Sequence, residues 1–231
     1  MNKTIKVPDI AGFCTAFGAV GLKVGVRTGA EKRTQDDKEW FVVRRFLKAG
    51  LRAGIFEAPI SVQKRNPPEP DFALDLDDGD TVAFLEITEA TDQTDQKEMT
   101  AFEHSKKTAM LVGDFGGRFS GGASQPGRAW ALDVLDAIRR KVGKAIFLRS
   151  ETNRHLVIYP NSNASSLLFD DEDERVAFGF LREAIEIKRD TYVQAANGCL
   201  VHILGKEYVC FDLLGRVELV RREANKSSKK S

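Results

Sequence analysis

Two acids stand where charge is expensive. Glu86 lies in the run Thr81–Thr88, whose stretch from Val82 to Ile87 is otherwise wholly apolar. Strand alternation puts Val82, Phe84, Glu86 and Thr88 on one face and Ala83, Leu85 and Ile87 on the other, and neither face reads as solvent-washed. A carboxylate in such a strand carries a large desolvation penalty unless a cation or hydrogen-bond donors meet it. Asp71 opens the preceding extended run, after the stiff approach Asn66-Pro67-Pro68-Glu69-Pro70. An antiparallel turn between the two runs is expected to bring Asp71 near the level of Thr88 and Glu89, with Glu86 about two residues further along. Glu39, on the core-facing side of an upstream helix, adds a third carboxylate if that helix packs across the same face. Oxygen-only ligation of this kind suits Mg²⁺, with Mn²⁺ as a substitute, rather than zinc. The competing compensation is an arginine, such as Arg44 or Arg128, paired with Glu86.

The elements that must position these acids follow from periodicity. Asp37 to Ala49 predicts a helix with Trp40, Val43 and Leu47 along one side, ended by Gly50 and Gly54. Ile55 to Val62 is extended and interrupted by Pro59. Asp71 to Asp77 alternates, Asp77-Asp78-Gly79-Asp80 is a turn in composition, and Thr81 to Thr88 completes a hairpin. A helix is expected from about Asp92 to Val112, then a glycine-rich loop from Gly113 to Gly127. Arg128 to Val142 is an amphipathic helix. A third strand falls at Ala145 to Leu148 or His155 to Tyr159, a helix at Asp171 to Lys188, and strands at Cys199 to Leu204, Tyr208 to Leu213 and Arg216 to Val220. Helices interleaved with a few strands make this an α/β chain with a mixed central sheet flanked by helices. We divide it into a glycine-rich N-terminal segment (1–36), a core (37–160), a C-terminal helix and strands packed on that core (161–221), and a basic flexible tail (222–231).

Composition narrows the chemistry. A chain of 231 residues can bury a sizeable core without disulfides or metals. With 35 basic against 34 acidic residues, global charge does not favour nucleic acid, so a polyanion would need a local basic patch. Lys106, Lys107, Arg118 and Arg128 are candidates for one, as is the cluster Arg139, Arg140, Lys141 and Lys144. Cys14, Cys199 and Cys210 lack ligand spacing and fit a reducing compartment. His104, His155 and His202 are too scattered in sequence to argue for zinc. The glycine loop lacks the Gly-Lys-Ser/Thr of a phosphate cradle. No apolar run reaches the length of a membrane span, and the first residues lack a hydrophobic signal core, so a cytoplasmic protein is expected. Self-association is left open.

Pro70-Asp71, Glu86-Ile87-Thr88 and the upstream Glu39 resemble the PD-(D/E)xK nuclease superfamily, with its restriction-endonuclease-like core of helix, hairpin, helix and strand. The resemblance covers about Asp37 to Tyr159. It implies Mg²⁺-dependent hydrolysis of phosphodiesters, DNA ranking ahead of RNA, with Asp71 and Glu86 binding the metal, Ile87 offering its backbone carbonyl and Glu39 completing the site. The alternative is a non-catalytic nucleic-acid- or protein-binding scaffold that retains the fold. The departure is at position 88, where the family's catalytic lysine is threonine. Some members take that lysine from a neighbouring element, and Lys97 and Lys141 are the candidates here.

Overall fold

In a computed structural model the described residues are 3–18, 20, 34–76, 81–90, 126–142, 153–160, 171–196, 198–205, 208–215 and 218–221. The expected helix at 92–112, most of the glycine loop and the tail therefore lie outside them, with Lys97, His104, Lys106, Lys107 and Arg118. Arg128 falls inside a helix, but its side chain is not among those described.

The chain opens with β1 (Thr4–Val7) and the short helix α1 (Phe13–Phe17), both within the glycine-rich N-terminal segment. Helix α2 (Gln35–Ala53) starts two residues before the expected Asp37, because Thr34 and Asp37 form a reciprocal capping box. It also runs through Gly50 and stops at Gly54, which takes a left-handed conformation. Gly50 is there for space: a Cβ at that position would run into the Phe56 ring.

Strands β2 (Ile60–Lys64), β3 (Phe72–Leu76) and β4 (Thr81–Ala90) form an antiparallel meander with β1. The hairpin expected from Asp71 onward is present. Helix α3 (Pro126–Val142) precedes β5 (Arg154–Pro160), the His155 alternative for the third strand. Helices α4 (Asp171–Ile187) and α5 (Arg189–Ala196) follow, the second unforeseen, then β6 (Leu200–Leu204), β7 (Tyr208–Phe211) and β8 (Glu218–Arg221). All eight strands share one mixed sheet whose spatial order is the chain order. Its centre, β4-β5-β6, is parallel and both flanks are antiparallel.

Strand alternation sorts the side chains between two cores. Phe72, Leu74, Leu85, Ile87 and Val157 pack against α2 with Val43, Phe46 and Leu47. Leu156, Ile158, Val201 and Ile203 pack on the other side against α3 and α4, with Trp130, Val134, Ile138 and Leu181. A parallel centre covered on both faces explains why β4 and β5 read as nearly continuous apolar text. Trp40 and Trp130 are core residues, as expected.

Candidate functional site

The ladder between β3 and β4 pairs Phe72 with Leu85 and Leu76 with Thr81. One further step along that register sets Asp71 level with Glu86, closer than the two-residue offset expected from sequence. The reason is arithmetic: β3 ends at Leu76 and β4 begins at Thr81, and their pairing fixes every other pair along the ladder. Glu86 alternates with Leu85 and Ile87 and so lies on the face that packs against α3 and α4, while Asp71 stands beside it just before the first residue of β3.

Asp71 is anchored there by the Ile87 backbone N–H, which donates to Asp71 Oδ2 at 2.8 Å. Burial raises the Asp71 carboxyl to about 6, and the neighbouring Glu86 charge adds to the rise. The Ile87 hydrogen bond and the Lys64 and Lys141 ammonium groups oppose it. Asp71 is thus ionised at neutral pH against a resistance, a state that a further positive charge would relieve.

Glu86 is met by a lysine, where an arginine had been the alternative to a bound cation. Lys141 Nζ donates to Glu86 Oε1 at 2.6 Å, with both side chains mostly sheltered (19% and 15% exposed). Arg44 is occupied elsewhere, donating to the carbonyls of Gly18 and Val20. Lys141 reaches the strand because it continues the stripe of Val134 and Ile138 at helical spacing, so the last turn of α3 points a cation where its first turns point apolar groups. Its place in the last turn also suits the helix dipole.

Glu39 corrects the expectation of a third acid on the same face. Helix α2 packs on the opposite side of the sheet, so Glu39 approaches from there. It is 7% exposed and accepts from Gln35 Nε2 at 2.8 Å and from Lys64 Nζ. Lys64 was missed in the sequence because the extended segment was ended at Val62. Continuing the alternation Ile60, Val62, Lys64 places it on the inward face, and its ammonium lies 4.6 Å from the Phe72 ring centroid. Two glutamate–lysine pairs therefore flank Asp71, one from each face. Among the described residues no group of three or more His, Cys, Asp or Glu side chains gathers closely enough to hold a metal ion.

A second polar arrangement is buried beneath α2, well separated in character from the first. His155 and His202, on adjacent parallel strands, stack with rings 13° apart and join Nδ1 to Nε2 at 2.9 Å. The Asp212 N–H donates to His202 Nδ1 at 3.1 Å, which makes that nitrogen an acceptor and Nε2 the protonated one. His202 then donates to His155 Nδ1, and His155 Nε2–H to Asn153 Oδ1 at 3.0 Å. The chain closes only with both rings neutral. Burial lowers His155 to about 4 and His202 well below its ordinary value, the second ring adding to the latter. Asn153 and Asp212, at the two ends, both have positive φ, and asparagine and aspartate are among the side chains that tolerate it best. The scattered positions hid this partnership, which only the β5–β6 pairing creates.

Cys199 and Cys210 are buried free thiols, pushed by burial up to about 12, as their apolar setting suggested. No described helix is long and apolar enough to cross a membrane. No family model, curated protein or solved structure matches this chain.

Proposed function

We propose that this protein hydrolyses phosphodiester bonds in nucleic acid, DNA ahead of RNA, at a divalent-cation site built on Asp71 and Glu86, in the manner of PD-(D/E)xK nucleases. One observation carries the reading: Lys141, from α3, contacts Glu86 and so delivers to the strand acids the cation that Thr88 does not supply. The donor set suits Mg²⁺. The neighbouring carboxylates of Asp71 and Glu86 are enough for an ion that commonly takes one or two carboxylates and completes its shell with water and phosphate, and the Ile87 carbonyl is the further ligand that the resemblance implies. When bound, such an ion lowers the pKa of water and offsets charge on the reacting phosphate.

The chain's own groups have separable roles. The Ile87 N–H fixes the direction of the Asp71 carboxylate. Lys141 holds a positive charge beside Glu86, where it orients an attacking water and steadies charge developing on phosphate oxygens. The flanking apolar cores limit solvent at the strand acids, which strengthens each of these interactions.

The second reading, a scaffold without catalysis, draws on the same pairs: Glu39 and Glu86 each have a lysine, as in a purely structural network. Cleavage of a labelled DNA duplex with Mg²⁺ separates the two. The nuclease reading expects cleavage that chelation abolishes, a fall on the order of 10²-fold or more in Lys141→Met, and partial recovery in Lys141→Arg, measured at a temperature where each variant's melting curve shows it folded. Absence of cleavage in the parent protein, on DNA and RNA alike, favours the scaffold.

A further inference from the structure

Resting on that phosphodiester reading, we propose that Lys64 is a second substrate cation of the same site, contacting a backbone phosphate beside Asp71, and that Glu39 is the residue that positions it. Three observations converge. Lys64 is the last residue of β2, at the end of the sheet where Asp71 enters β3, and the Arg65 N–H donates to the Asp71 carbonyl at 3.0 Å. Lys64 also pairs with Phe72 across the β2–β3 ladder, which sets it one residue from Asp71. Finally, its orientation is over-determined: the Glu39 carboxylate, the Phe72 ring and, at 3.9 Å, Asp36 all face it.

Sheltered ion pairs of this kind are poor devices for stability, since desolvation offsets most of the attraction. Lys64 is 13% exposed and Glu39 9% by side chain, so this pair falls in that class. What the arrangement does achieve is direction. A flexible four-carbon stem is stiffened against an aromatic face, and its charge is held at the mouth of the acid pair. Asp71 and Glu86 would repel a polyanion arriving at the sheet end; Lys64 from the α2 face and Lys141 from the α3 face counter that repulsion from both sides. Lys64 then contributes one phosphate contact, and Glu39, reinforced by Gln35, keeps it aimed.

The test is equilibrium binding of a fluorescein-labelled DNA duplex by the full chain in chelator, so that no cleavage intervenes, repeated over a salt series. Lys64→Met alone would leave Glu39 buried and uncompensated, so the paired variant Glu39→Gln/Lys64→Met is used, with its melting curve as the folding control. A lost phosphate contact weakens binding across sequences and makes the slope of log affinity against log salt shallower by about one unit. Lys64→Arg should keep the parent slope. A folded paired variant with the parent's affinity and slope overturns the role of Lys64 while leaving the nuclease reading intact. A parent protein that binds no duplex at low salt overturns both.

Discussion

The two polar regions of this sheet solve the problem of burial in opposite ways. Where β3 meets β4, acids are met by cations brought from both faces: Glu86 by Lys141 and Glu39 of α2 by Lys64, with Asp71 between them accepting from the Ile87 N–H. Under α2, His155 and His202 are kept neutral by a directional chain from the Asp212 N–H to the Asn153 side chain. The first arrangement retains charge where it is costly. The second satisfies every ring nitrogen with no charge at all, surrounded by Phe46, Phe56 and Phe211. A neutral, fully bonded network stabilises a core, whereas a charged one that leaves an acid resisting ionisation has the character of a site.

That contrast can be broken most forcefully at His202. Replacing it with leucine removes the hydrogen bonds that His202 makes with the Asp212 N–H and His155 Nδ1 in the core. We expect a loss of about 2–4 kcal/mol in urea unfolding, one hydrogen bond lost at each end. A loss below about 0.5 kcal/mol would show that the histidine chain is incidental.

A smaller effect sharpens the comparison through pH. His155 is lowered from 6.5 to about 4, so as pH falls through that window the unfolded chain takes a proton the folded one refuses, and stability is lost. Asp71 is raised from 3.8 to about 6, so acidification between those values protonates the folded form first, and stability is gained. The two slopes oppose each other over the shared range. Asp71→Asn removes the gain and should make the acid loss steeper between pH 6 and 4, by about 2–3 kcal/mol across the interval. Parallel stability profiles for parent and variant would mean that Asp71 titrates unperturbed.

The fold was readable wherever local periodicity decided the outcome. The hairpin, the helix of Trp40 and Leu47, the α3 stripe and the strands around His155 and Cys199 follow from spacing that survives without tertiary context. Less readable were features set by geometry between elements. The side of the sheet on which α2 packs sent Glu39 to Lys64 instead of to Glu86, and no pattern within α2 announces that choice. Lys64 itself sat one alternation past the point where proline and polar residues blurred the strand. Helix α5 was hidden because Arg189–Ala196 has only a faint apolar stripe, and the histidine partnership because parallel pairing joins residues far apart in sequence. Glu86 stood out in one dimension because it interrupts an otherwise apolar run, whereas Asp71 and Lys141 could be singled out only by position, the first opening the hairpin and the second ending the amphipathic helix.

A divalent cation shared by Asp71 and Glu86 can be detected apart from any cleavage. Calorimetric titration of Mn²⁺ into the full chain at neutral pH tests for it most directly, with Glu86→Gln as the comparison. Saturable binding is expected in the parent and should disappear in a Glu86→Gln protein of unchanged far-ultraviolet dichroism. Equal heats in both proteins, or none in either, would contradict this expectation.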